Sequence, residues 1–318
     1  MLSNLPVEIR VTAFFGLLWA IGVLLGLPVN YPDMNNLDFV ERHYFRPIIM
    51  AFLLQISVIF ISVIFKFKNN KKRYEPFLTL KLLYFMAFSV FLHFNFKAWM
   101  PLVNSHLYDA YYNSIDQHLW LLVQLFMNIR QFIANLAYFN LDFLYHYLFV
   151  AMFFISFSAH ALFDKPLHQR QLVLGACLIL LIGGISYWIA PAEGAFLYRN
   201  GVSNGSLFVQ RSMHKAFVLV KSTGLLPPGY FSAPLAAMPS LHIAHALFFT
   251  WFAGRSCRWL LFLYIPALSW LVIESVYSGW HYLIDLPAGV LVCIISISLA
   301  IRWLPERETA QSKPSLQF

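Results

Sequence analysis

The sequence predicts an all-α fold: a polytopic membrane helical bundle of about eight transmembrane helices. Three observations carry that prediction. Hydrophobic residues make up 60% of the 318 positions and charged residues only 11%, where a soluble domain carries about 25% charged residues. Mean hydropathy is +0.65. The apolar residues gather into segments near the roughly 20 residues that cross a hydrocarbon core, separated by charged or Pro/Gly-containing loops.

In chain order the segments are 11–29, 47–66, 79–99, 143–163, 171–190, 240–255, 259–278 and 283–303. The sixth is short, which calls for tilt or a locally thin bilayer. No small-residue cleavage pattern follows the first, so it reads as a retained span. Orientation follows from the basic residues. Lys66, Lys68, Lys71, Lys72 and Arg73 form a basic loop after the second segment. With that loop in the cytoplasm, Arg10, Lys81, Lys165, Arg170, Arg255, Arg258, Arg302, Arg307 and Lys313 also fall inside. Both termini are then cytoplasmic, and the starts of the sixth and eighth segments face the periplasmic, extracellular or lumenal side. The net charge of +8 is explained by orientation and by the bilayer's anionic lipid, so no nucleic-acid partner is expected. Cys177, Cys257 and Cys293 have no paired spacing, so neither a disulfide nor a zinc site is expected.

The chain divides into an N-terminal membrane region of three helices (1–103), outer interfacial helices (104–142), a motif-bearing core (143–304) and a polar, disordered cytoplasmic tail (305–318). The interfacial reading rests on Leu107-Tyr108-Asp109, Ile115-Asp116 and Leu119-Trp120-Leu121-Leu122, which mix apolar and acidic positions. A second outer segment, 191–237, is rich in Gly, Ser and Pro and holds a short basic helix around Arg211 to Lys221.

Two stretches carry chemistry. One is Met238-Pro239-Ser240-Leu241-His242, the other Tyr277-Ser278-Gly279-Trp280-His281-Tyr282-Leu283-Ile284-Asp285, and each puts a histidine where an apolar span begins. Proline suits the first turn of a helix, whose unpaired N–H groups can hold phosphate oxygens. Ser240 adds a hydroxyl, and His242 would face the same anion. His281 and Asp285 are four residues apart and share one helix face. A carboxylate bonded to one imidazole nitrogen fixes the tautomer and leaves the other nitrogen free to attack phosphorus. A carboxylate about one turn inside an apolar span is also costly without a partner. The plainer readings are a capped helix start with an interfacial histidine, and a structural His–Asp hydrogen bond. Two histidines and a carboxylate at one membrane surface can pass a phosphoryl group between oxygens.

Ala237-Met238-Pro239-Ser240-Leu241-His242, followed by His281-Tyr282 and Asp285-Leu286-Pro287-Ala288-Gly289, resembles the type 2 phosphatidic acid phosphatase superfamily. The Leu between Ser240 and His242, and the His-Tyr-x-x-Asp-x-x-Ala-Gly run, are similar to the branch containing inositol phosphorylceramide synthase. The resemblance covers roughly 140–304 and leaves out the first three spans. It implies a helical core with no metal and no cofactor, His281 as phosphoryl acceptor oriented by Asp285, and His242 as the acid for the leaving group. The partners it implies are a lipid phosphate or phospholipid and a hydroxyl acceptor: water, a polyol or a lipid alcohol.

The departures from that family matter. Its phosphatases place Ser-Arg at the spacing occupied here by Glu274-Ser275, and its upstream Lys-x6-Arg-Pro element is missing. The synthase-like branch also lacks the arginine. Some other group must then offset the transition-state charge. Arg199, after Pro191-Ala192-Glu193-Gly194, is the first candidate, with Arg211 and Lys215 next. Asp142 and His146, four apart at an outer helix start, are candidate head-group contacts, and His245 reads as packing beside the site. The expectation is a lipid phosphotransferase. The alternatives are a lipid-phosphate phosphatase and a non-catalytic lipid-binding or transport protein.

Overall fold

The computed structural model describes residues 5–33, 39–64, 75–137, 141, 144–199, 204–231 and 234–306. Among them are eleven α-helices and no strand. They are α1 (Val7–Leu24), α2 (Phe39–Ile64), α3 (Pro76–Val103), α4 (Asp109–His118), α5 (Trp120–Leu136), α6 (Leu144–Phe163), α7 (Pro166–Ile189), α8 (Asn204–Thr223), α9 (Leu241–Ser256), α10 (Leu261–Tyr277) and α11 (Asp285–Trp303). Pro76 and Pro166 open α3 and α7, where a missing N–H leaves no bond unmade. The basic loop 66–73, Asp142 and the tail from 307 lie outside the described residues.

Among the described residues, seven helices are long and apolar enough to cross a membrane: α1, α2, α3, α6, α7, α10 with its preceding turn, and α11. The expected sixth span, α9, has only 16 residues and falls short of that length. It nevertheless runs the depth of the bundle. At its start the Ser240 N–H donates to the Asp285 carbonyl (3.1 Å), and near its end Arg255 bonds Glu306, beyond the end of α11 (2.9 Å). A helix sheathed by protein need not match the bilayer, and Phe248, Phe249 and Phe252 of α9 are fully buried. Its close neighbour is α7. A Cβ at Gly175 would stand 2.4 Å from Phe248, and one at Gly183 2.4 Å from Leu241. Glycine at both positions lets the two helices touch, which is how helices pack where lipid offers no hydrophobic drive.

Hydrogen bonds fix the directions. α3 lies parallel to α7: Gln169 bonds Thr79 at one end (3.1 Å), and Asn104 bonds the Trp188 carbonyl at the other (2.9 Å). Arg170 pairs with Glu8, so α1 starts at the same end as α7. That end also gathers Asp164, His168, Arg255 and Glu306. The opposite end collects the starts of α6, α9 and α11 and the ends of α3, α7 and α10. The segments that expectation put on the outside sit there as α4, α5 and α8, with α4 and α5 meeting at an 85° bend.

Candidate active site

The site forms at the end where α10 stops and α11 starts. Gly279, at φ +72°, turns the chain out of α10, and a Cβ there would stand 2.9 Å from the Phe196 backbone nitrogen. His281 follows, buried, with its N–H donated to the Ser275 carbonyl (3.1 Å). Its Nδ1 lies 2.8 Å from the Ala237 carbonyl oxygen and 3.3 Å from Asp285 Oδ2. Both partners are acceptors, so Nδ1 carries the proton and Nε2 keeps its lone pair. No described residue bonds Nε2. The His281–Asp285 pair therefore exists, with a difference from expectation. The carbonyl is the nearer partner, and Asp285 Oδ2 makes its shorter bond, 2.8 Å, with the Tyr282 N–H. Asp285 is fully buried in the first turn of α11, where the helix field favours a negative charge.

The second histidine reaches this point because α9 and α11 start in contact. Besides the Ser240–Asp285 backbone bond, Gly289 lies under the Ser240 carbonyl, where a Cβ would come within 2.4 Å of that oxygen. His242, two residues further along, is held between Tyr145 (4.7 Å between ring centroids) and Phe149 (4.2 Å). The rings of His242 and His281 are 6.3 Å apart at an interplanar angle of 61°. A tetrahedral phosphate placed between them would be within reach of both rings.

Both rings line one cavity enclosing about 180 Å³. Its polar end holds Lys97, His93, His146, His242, His245, His281 and Glu193. The rest, Gln55 apart, is apolar and extends between α2, α3 and α6, along Ile48, Phe52, Met86, Val90, Phe153 and Phe157. His93 Nδ1 faces the Leu180 carbonyl (3.0 Å), and His245 Nδ1 faces the Leu241 carbonyl (2.9 Å), so both rings are tied to backbone. Glu193 Oε2 is 2.6 Å from His214 Nδ1. Burial raises the Glu193 pKa and the bond to His214 opposes that shift.

A roof of loops encloses this end, pinned by two carboxylates of α4. Asp109 accepts the N–H groups of Glu193 and Gly194 (3.0 Å each) and the Tyr282 hydroxyl (2.9 Å). Asp116 accepts the Leu283 N–H (2.9 Å) and pairs with Arg199. Burial raises the Asp109 pKa despite these bonds.

His242, His281, Asp285 and His146 thus meet at one end, with Asp285 behind the cavity wall. The other expected contacts among the described residues, Ser240, Arg199, Arg211 and Lys215, do not line the cavity. Ser240 is fully buried at the start of α9, its hydroxyl enclosed without a partner among the described residues. The Arg199 guanidinium is taken up by Asp116 and the Val276 carbonyl. Arg211 and Lys215 are exposed on α8, because that helix turns Val209, Met213, Ala216 and Phe217 inward. Glu274 does not face the site either; it pairs with Arg130, which lies over Trp270 (5.1 Å) and Tyr277 (4.8 Å). Lys97 and His93 are cavity residues that the motifs did not flag. Their signal was present: polar groups four apart on one face of an apolar span are costly unless used. Among the described residues no group of three or more His, Cys, Asp or Glu is arranged to hold a metal ion.

A family model described as PAP2 superfamily matches residues 111–299. No curated protein and no solved structure matches the chain. The match begins within α4, earlier than the resemblance near 140, and leaves α1 to α3 outside. It contains Ala237, His242, His281 and Asp285, the residues that converge at the cavity's polar end. With more than half of its length matched, the chain belongs to the PAP2 superfamily.

Proposed function

We propose that this protein is an integral-membrane lipid phosphotransferase that moves a phosphate-containing head group through a phosphohistidine at His281, as in the inositol phosphorylceramide synthase-like branch. One observation carries the reading: the rings of His242 and His281 stand 6.3 Å apart on a cavity polar at that end and, Gln55 apart, apolar along the rest. Superfamily membership supports phosphoryl transfer on a lipid phosphate. The apolar extension supports a substrate with a hydrocarbon chain.

In the first step His281 Nε2 attacks phosphorus. The N–P bond forms as the bond from phosphorus to the departing lipid oxygen breaks, and His242 gives that oxygen its proton. The Ala237 carbonyl and Asp285 hold the Nδ1 proton and balance the charge that the ring acquires. An acceptor hydroxyl then attacks phosphorus while His242, now the base, takes its proton. The N–P bond breaks and His281 is restored. The scheme uses no metal and no cofactor. The site is assigned to the periplasmic, extracellular or lumenal face, which Arg170 and Arg255 at the opposite end support.

Purified protein given phospholipid labelled in its phosphate, together with a series of alcohols, tests the reading. Label in a new phosphodiester that depends on the alcohol is the expected result. Label released as inorganic phosphate whatever the acceptor would make the protein a lipid-phosphate phosphatase. Full cellular function in His281→Ala would make it a non-catalytic lipid-binding or transport protein.

A further inference from the structure

We propose that Lys97 of α3 is the cation that holds the phosphate of the bound substrate, supplied by a helix outside the matched family segment. The proposal rests on the phosphoryl-transfer reading above and names the phosphate-binding group of that site.

Lys97 lines the cavity that His242 and His281 share. Its charge is near enough to interact with both His242 and His93. Other cations of the bundle face carboxylates: Arg130 with Glu274, Arg170 with Glu8, Arg199 with Asp116 and Arg255 with Glu306. Lys97 has no hydrogen-bond or ion-pair partner among the described residues. Glu193, the carboxylate of the same cavity, is engaged by His214. An ammonium ion held in an apolar bundle without a counter-ion is costly, and an anion brought in by the substrate removes that cost.

The position is also rigid. Next to Lys97, the Phe96 carbonyl accepts the Trp188 Nε1–H (2.8 Å), and Asn95 bonds the Asn30 carbonyl (3.0 Å). A positive charge carried by an anchored stretch of helix, on the cavity that two imidazoles share, is what developing charge on the non-bridging phosphate oxygens calls for. The residues expected to fill this role do not line the cavity, and the family's arginine spacing is occupied by Glu274, itself paired with Arg130.

The test uses the full chain purified in maltoside micelles. Thermal unfolding is followed with orthophosphate, with phosphatidic acid and with uncharged diacylglycerol, for the native protein and for Lys97→Arg, Lys97→Gln and Lys97→Met. We expect phosphate-bearing ligands to raise Tm in the native protein and in Lys97→Arg. The shift should disappear in Lys97→Gln and Lys97→Met, and kcat/KM for transfer should fall in them by about 100-fold or more. A response to phosphatidic acid alone assigns the anion to a lipid head group; a response to orthophosphate as well extends it to the free ion. Either supports the proposal when it requires Lys97. An equal shift in Lys97→Gln and the native protein, or no shift in the native protein with either phosphate ligand, overturns it. If Lys97→Met does not fold, the Gln and Arg variants decide. His281→Ala separates the two readings: full transfer activity there would remove the phosphohistidine, while the anion-induced shift would still report on Lys97.

Discussion

The Nδ1 atom of His281 is closer to the Ala237 carbonyl, 2.8 Å, than to Asp285, 3.3 Å. The tautomer of the proposed nucleophile is thus held by backbone as well as by the carboxylate. His281→Ala should lower the rate by roughly 1,000-fold or more, whereas Asp285→Asn should cost about 10–100-fold, the usual loss for a supporting partner. Initial rates and trapping of labelled phosphoenzyme measure the difference. Equal losses would mean that the carbonyl does not suffice.

His242 is assigned to protonate the leaving oxygen. Removing it should matter less when that oxygen departs easily. His242→Ala should therefore spare an aryl phosphate ester more than an alkyl one, by roughly 10- to 100-fold in relative kcat/KM. A rate series over leaving groups of graded basicity checks this, and the same loss on every ester would contradict the role.

Gly289 lies against the Ser240 carbonyl, with 2.4 Å available to a Cβ. Gly289→Ala must push the starts of α9 and α11 apart, at a cost of about 1–3 kcal/mol in overpacking. We expect a lower Tm and, because His242 and His281 ride on these two starts, a disproportionate loss of kcat. An unchanged Tm with native activity would show that the junction yields freely.

Arg130 and Glu274 form a buried pair between α5 and α10. Removing one partner strands the other, so Glu274→Ala should destabilise by about 3–5 kcal/mol. Arg130→Met with Glu274→Leu should recover much of that loss. Thermal unfolding of the single and double variants gives the coupling directly.

Asp164 lies between α6 and α7. Burial alone would raise its pKa, but hydrogen bonds from His168, Ser256 and the Lys165 N–H bring it down from 3.8 to about 2. A carboxyl depressed on folding adds stability above its unfolded pKa, and that stability is lost as pH falls through the folded value. The Tm advantage of the native protein over Asp164→Asn should therefore be full at pH 5, fall steeply toward pH 2 and vanish by about pH 1.

The bundle was legible because apolar length and loop charge report directly on bilayer crossing. Even α9 was visible as a short segment, though its burial behind α7 was not. His242, His281 and Asp285 could be read because their spacing is local and they open apolar spans. Their convergence depends on Gly289 and on the Ser240–Asp285 backbone bond, neither of which has a sequence signature. Arg199 was misjudged for the same kind of reason. Its place in an outer loop is plain from the chain, but the carboxylate it meets, Asp116, lies in another helix. Lys97 belongs to no motif, and its spacing from His93 does not say which way their shared face points. Only the packing of α3 along α7 turns it toward the histidines.

Asp109 and Asp116 sit at opposite ends of the ten-residue helix α4 and grip two different loops, one leading from α7 and one leading into α11. A single short rod thereby cross-braces the roof over the chamber's polar end. Disturbing either carboxylate shifts the pair of loops in concert, so substitutions in α4 would reshape that roof without replacing either imidazole.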